Sequence, residues 1–182
     1  MRKILATFLV LALCISMGIP SEAHANTNIR ESNKNNVSLY VLDFVKSIYR
    51  ENNYKTGDTI EILDESDCLS GYCIDIMYYD SPYGYVVVKF SENQPVVSEF
   101  CIEKDVQNPF ETIIRNHSIV SYENLKFYSI GLNDYQIYDF KERVMYGISE
   151  KKSFEEFKKF KKYYAKYKNE MFLEYEKKAY RS

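Results

Sequence analysis

The sequence predicts an α+β fold. An amphipathic helix packs on an antiparallel β-meander of four or so strands, followed by a Tyr-rich β extension and a long C-terminal helix. Three observations carry this: a helical stripe over residues 37–48, three consecutive pleated segments over 72–102, and an aromatic repeat in steps of three and four from Phe154 onward.

The chain has 182 residues, with 18 Tyr, 11 Phe and no Trp. Many of these Tyr rings are expected at the core margin, ring buried and hydroxyl wet. Arg2 and Lys3, the apolar run 4–19 and the triplet Ala23-His24-Ala25 are the parts of a secretion signal. Cleavage after Ala25 is expected, giving a secreted chain that starts at Asn26. Leu13 stands before Cys14 where a lipid-attachment site wants a small residue. Residues 26–36 are polar and aperiodic, and are read as a flexible leader.

Val37, Tyr40, Val41, Phe44, Val45 and Ile48 then fall at i, i+3, i+4, i+7, i+8 and i+11, one face of a helix. Residues 59–63 (TIEIL) form a short strand candidate, and a polar link leads into the meander. Its strands are read as 72–79, 85–90 and 96–102, rich in Val, Ile, Tyr and Phe. The turns Asp80-Ser81-Pro82-Tyr83-Gly84 and 91–95 join them. In the first strand, Tyr72, Ile74, Ile76 and Tyr78 share a face, and Asp75 lies on the reverse as a solvated carboxylate. In the third, Val96, Phe100 and Ile102 oppose Glu99 and Cys101. One covered face is expected.

Asn108-Pro109-Phe110-Glu111 reads as the start of a short helix reaching Arg115. Residues 118–148 alternate again as smaller Tyr-rich strands, turning at Gly131-Leu132-Asn133-Asp134. Ser153 and Glu156 form a capping box. The helix they open is expected from Phe154 to about Ala179, with Phe154, Phe157, Phe160, Tyr164, Tyr167, Met171 and Tyr175 along one stripe. The organisation is therefore signal 1–25, leader 26–36, an α+β domain 37–150 and a basic helix 151–182.

Charge is asymmetric. Loss of Arg2, Lys3 and Glu22 takes 24 basic and 26 acidic residues to 22 and 25, a net of −3. Residues 151–182 hold eleven Lys/Arg and five Glu, or +6, so residues 26–150 carry −9. An acidic body with a basic tail is a statement about partners.

Catalytic chemistry finds little support. His117 is the one histidine after cleavage, and no cysteine sits where its thiolate would be favoured. Asp64, Glu65 and Asp67 lack the spacing of a calcium loop, and one His with scattered Cys does not make a zinc site. No catalytic residue, metal or cofactor is expected. Cys68–Cys73 is the easy intramolecular disulfide, with cysteines packed as small hydrophobes an equal reading. Cys73 and Cys101, placed at opposite ends of the sheet, are out of reach of each other.

At the meander the chain resembles the propeptide of streptopain-type secreted cysteine proteases of Gram-positive bacteria, and small stand-alone inhibitors similar to it. The resemblance rests on VSLYVLDFVKSIY leading to TIEIL and YCIDIMYYD, then Gly84-Tyr85-Val86-Val87-Val88, Pro95-Val96-Val97-Ser98-Glu99-Phe100 and Asn108-Pro109-Phe110. It covers about residues 37–110. Tyr83 stands where the family has the first Gly of a pair, and no protease domain follows. The resemblance implies a cystatin/propeptide-like fold without its enzyme: an exported non-enzymatic inhibitor or folding partner of a secreted cysteine protease. The turn residues Ser81, Pro82, Tyr83 and Gly84 would be the contact surface. The alternative is an envelope-associated protein, held to anionic lipid or wall polymer by Lys158, Lys159, Lys161, Lys162 and Lys166. Nucleic acid is not expected as a partner, and a monomer is.

Overall fold

A computed structural model describes the backbone of residues 22–92, 94–130 and 134–179, and side chains within 33–167. The elements are α1 (Glu22–Tyr49), β1 (Tyr54–Leu63), β2 (Leu69–Tyr78), β3 (Ser81–Ser91), β4 (Gln94–Cys101), α2 (Pro109–Asn116), β5 (Leu125–Ser129), β6 (Tyr135–Asp139), β7 (Val144–Tyr146), β8 (Lys151–Ser153) and α3 (Phe154–Ala179). The fold is α+β. One eight-stranded sheet runs in the order β4-β3-β2-β1-β5-β6-β7-β8. Neighbouring strands are antiparallel except β1 and β5, which meet in parallel at Leu63 and Tyr128.

The chain divides into two compact units, Met1–Val37 and Ser38–Ser182. Of the first, the structure describes the helical backbone from Glu22. Residues 26–36, read as a flexible leader, are helical there. They contain neither Pro nor Gly, so nothing local stops a helix from continuing. The apolar run 4–19, expected as part of a secretion signal, lies outside the described residues.

In the second unit, α1 lays Val41 and Val45, both fully buried, on one face of the meander. Phe44 meets Phe100 of β4 edge-on at 5.1 Å, and Tyr49 meets Tyr54 of β1 at 5.8 Å. The contact line is narrower than the sequence stripe. Tyr40 and Ile48 flank it and remain 37% and 46% exposed.

The opposite face is covered too, against the expectation of one covered face. Phe110, Ile113 and Ile114 of α2 pack there with Ile62, Cys73, Tyr85, Val87, Tyr135 and Ile137. Burial on both sides is why Val86-Val87-Val88 shows no alternation. Helix α2 begins as its sequence predicts. Asn108 is the N-cap, its Oδ1 accepting from Glu111 N at 2.9 Å, and Pro109 follows where its missing N–H costs nothing.

The sheet curls around α2. Strands β4 and β6 stand five places apart, about 24 Å in a flat sheet. Yet Glu99 of β4 accepts hydrogen bonds from the hydroxyls of Tyr85 on β3 and Tyr135 on β6, each 2.6 Å. The carboxylate clasps the two halves over the helix. A β-bulge makes this possible. Val87 pairs with Glu99 but Val88 pairs with Val97, so Ser98 is the extra residue. Phe100 lies on the α1 face and Glu99 and Cys101 on the reverse, as expected. The bulge moves Val96, expected beside Phe100, to that reverse side, where it pairs with Lys89.

Beyond β1 a second core joins β5, β6 and β7 to α3, built from Tyr128, Ile130, Tyr138, Met145 and Phe157 with Phe154, Phe160 and Tyr164 against them. The capping box closes as predicted. Glu156 Oε2 accepts from Ser153 N at 2.8 Å and from Ser153 Oγ at 2.6 Å. Tyr167, placed on the buried stripe by spacing, is 49% exposed, whereas the side chains of Met171 and Tyr175 lie outside the described residues. The expected turn at residues 131–133 also lies outside them.

The cysteines differ from both sequence readings of geometry. Cys73 is not at the strand end: β2 begins at Leu69, which leaves Cys73 across from Val87 and offset by two residues from the Asp75–Tyr85–Cys101 line. Cys68 and Cys73 are separated by extended strand, about 16 Å over five residues, which removes the easy pairing. Cys68 is exposed, Cys73 buried and Cys101 half-buried, all three as free thiols.

Candidate functional site

The β2–β3 hairpin end gathers most of what is chemically unusual in the molecule. Its turn is tighter than Asp80 to Gly84. Tyr78 pairs with Ser81, so Tyr79 and Asp80 alone make the loop, with φ of 47° and 62°. Positive φ at both central residues matches the right-handed twist of a hairpin but is strained for a non-glycine pair. Side chains hold it: Asn53 Nδ2 donates to the Tyr79 hydroxyl at 2.7 Å, and Lys55 pairs with Asp80 at 2.9 Å. Ser81, Pro82, Tyr83 and Gly84, expected as turn residues, are therefore the first residues of β3. Gly84 has φ of 108°, and a Cβ there would lie 1.9 Å from the Cys101 carbonyl oxygen. Only glycine lets β3 and β4 close up at this point.

On the α1 face of this end, five tyrosines touch. Tyr54 contacts Tyr49, Tyr78 and Tyr83 at 5.8, 4.9 and 6.1 Å, and Tyr78 contacts Tyr79 and Tyr83 at 4.7 and 5.1 Å. Tyr54 is buried beneath them and Tyr79 is 65% exposed at the rim. Tyr78 donates to Glu51, and that bond, with the partial burial of the ring, pushes its hydroxyl up to about 12. The cluster is an amphipathic surface, flat rings with wet hydroxyls.

On the reverse face lies a cleft of about 500 Å³, lined by Gly57, Asp58, Asp75, Met77, Gly84 and Glu111 among others. Two bulges open it. Between the Thr56–Ile76 and Thr59–Ile74 pairs β1 carries an extra residue at Gly57-Asp58, and between Asp75–Tyr85 and Met77–Pro82 so does β3. Asp75 stands between the two, and bulges beside functional sites are common. It is not the solvated carboxylate expected from alternation. It is half-buried and accepts from Asn108 Nδ2 at 2.8 Å. Burial, and after it the charge of Asp58, raise its pKa above the usual carboxylate value, whereas the Asn108 bond opposes that. Glu111 is raised by burial and then by Asp75 and Asp58. These carboxylates repel one another, and the sequence conceals this because they sit 17 to 53 positions apart.

The remaining sequence candidates fall elsewhere. His117 caps α2, its Nε2 2.9 Å from the Gly147 carbonyl and its ring 5.0 Å from Tyr146. Cys73 packs in the α2 core, where burial pushes its thiol well up. Among the described residues, no three His, Cys, Asp or Glu side chains are arranged to hold a metal. Asp64 Oδ1 accepts from Ser66 N and Cys68 N at 2.8 and 3.0 Å. Of the C-terminal lysines expected as contacts, Lys161 points inward and Lys158 is exposed but paired. Lys161 pairs with Asp67 at 2.9 Å, its side chain only 14% exposed over Tyr128 and Phe157. Lys158 pairs with Glu155 at 3.3 Å and covers Phe154. Lys159, Lys162 and Lys166 are exposed. No described helix is long and apolar enough to cross a membrane.

Comparison of the chain with protein-family models, curated proteins and solved structures finds no match.

Proposed function

We propose that this chain is an exported binding protein without catalytic chemistry of its own, and that it engages a protein partner through the β2–β3 hairpin end. The observation that carries the reading is the five-tyrosine cluster running from buried Tyr54 to exposed Tyr79. Tyrosine gives large contact area with few rotamers to freeze, and it is enriched among the residues that dominate binding energy. The strained turn Tyr79-Asp80 keeps the rim ring presented, and the acidic cleft behind it offers charge to a basic partner.

The resemblance of this meander to streptopain-type propeptides supports the class of partner: a secreted cysteine protease, which the chain inhibits or helps to fold. Pro82 and Gly84, two of the four residues expected as contacts, border the cleft, and Tyr83 joins the tyrosine cluster. The test is titration of co-secreted cysteine proteases with the protein, reading residual peptidase activity and complex formation. Tyr79→Ser together with Pro82→Ala should weaken the interaction about 30-fold, the effect of losing roughly 2 kcal/mol at a hot spot. Absence of both inhibition and complex at micromolar concentration would end the reading.

A further inference from the structure

A second surface lies on α3 and rests on different residues. Lys159, Lys162, Tyr163, Lys166 and Tyr167 fall at i, i+3, i+4, i+7 and i+8, one helix face, and all are exposed. The opposite face holds Phe157, Phe160, Lys161 and Tyr164 against the sheet. Between Lys159 and Tyr167 the outward stripe contains no acidic residue. Nearby Glu155 is engaged by Lys158, and Glu156, bonded to Ser153, keeps its charge at the start of the stripe, where Lys159 faces it. The two rings of the stripe are largely uncovered. Tyr163 is 64% and Tyr167 49% exposed, stacked on each other 5.9 Å apart at 16°.

We infer that this face of α3 is a docking surface for an anionic lipid bilayer. Lysines meet the headgroup charge, each contributing on the order of 1 kcal/mol near such a surface, equivalent to about fivefold in affinity. The tyrosine pair argues for a bilayer over a dissolved polyanion. A phenol ring settles where an apolar layer meets water, and a polymer provides charge but no such layer. Charge also fixes the orientation. Residues 26–150 carry −9, so an anionic surface repels the body and leaves the basic helix face as the side that approaches. Lys158 and Lys161, held by Glu155 and Asp67, take no part.

The test reads contact residue by residue in the full chain, so that any action of the apolar N-terminal run is kept separate. Vesicles of phosphatidylcholine, alone or mixed with phosphatidylglycerol, are added. Exposure is then mapped by amine labelling of lysines and hydroxyl-radical labelling of tyrosines, read by mass spectrometry. Lys159, Lys162, Tyr163 and Tyr167 should be protected by the mixed vesicles and released by salt, while Lys104 and Lys141 stay reactive. In Lys159→Gln/Lys162→Gln the lipid needed to half-protect the two tyrosines should rise about 30-fold. Lys104→Gln/Lys141→Gln should leave it unchanged. All four positions are exposed, so the variants keep the fold, which circular dichroism checks. Lack of protection, equal protection by phosphatidylcholine alone, equal protection by soluble polyphosphate, or indifference to the Lys159/Lys162 change each overturns the inference.

Discussion

The clasp at Glu99 is the most exacting point of the fold, because it joins strands five places apart in one sheet. Replacing Tyr135 by Phe keeps the ring that meets Phe110 at 5.3 Å and removes only the hydroxyl that donates to Glu99 at 2.6 Å. A hydrogen bond to a charged acceptor contributes about 1.5–3 kcal/mol. Tyr135 is 4% exposed but Glu99 is only half-buried, so water partly replaces the lost donor, and the low end applies. The expected cost is about 1.5 kcal/mol. Glu99→Gln forfeits more, because the amide cannot accept from both Tyr85 and Tyr135; about 2–3 kcal/mol is expected. The decisive quantity is the coupling. In urea titrations followed by circular dichroism, Glu99→Gln/Tyr135→Phe should cost less than the sum of the single changes by at least about 1 kcal/mol. Strictly additive losses would mean that β4 and β6 do not meet, and the curled sheet drawn here would be wrong.

Other consequences follow from the same geometry. Gly84→Ala should cost about 3 kcal/mol or more, since its Cβ meets a backbone oxygen at an angle closed to L-residues; a melting curve measures it. Asp75→Asn should stabilise the protein at pH 7 by up to about 1 kcal/mol, because it removes a carboxylate repelled by Asp58 and Glu111. Folded Asp75 is raised above its ordinary 3.8, so its charge opposes folding as pH rises through that range, and the gain should vanish near pH 4. Tyr85, Tyr128 and Tyr135 are raised by burial and then by their carboxylate partners Glu99, Asp67 and Glu99. Their stabilisation is complete below pH 10, and it is lost above that as the unfolded chain ionises and the folded one does not. Each such tyrosine adds about 1.4 kcal/mol per pH unit to the slope. Tyr135→Phe should therefore flatten the alkaline limb of a pH-stability profile. The opposite sign applies to Asp67. Burial raises it, but Tyr128 and Lys161 outweigh this and hold it low. Asp67→Asn should therefore destabilise the docking of α3 at pH 7 and have little effect well below pH 4, as hydrogen exchange along α3 would show.

The sequence by itself determined the elements and their class. Val41 and Val45 on one helical face, the β-branched run at Val86, the Asn108-Pro109 cap and the Ser153–Glu156 box all act within a few residues of themselves, and each appears where its pattern places it. The α2 stretch was legible as a helix but not as the centre of the inner core, because nothing local says which sheet face will wrap it. The candidate surface was half legible. Residues 81–84 lie in the β2–β3 hairpin, yet the turn is Tyr79-Asp80, a conformation that composition does not favour and that Lys55 of β1 and Asn53 just before it stabilise. Only the tertiary structure decided the rest. Bulges at Gly57-Asp58 of β1 and in β3 open a cleft beside Asp75, and the bulge at Ser98 puts Glu99 in step with Val87, where it meets Tyr85 and Tyr135. Likewise Lys161 and Lys162 are adjacent cations in the sequence. Their difference is a rotation of 100° about the helix axis, which turns one toward Asp67 and the other to solvent. Periodicity reports what a residue's neighbours require of it, whereas pairing across strands depends on where distant segments come to rest.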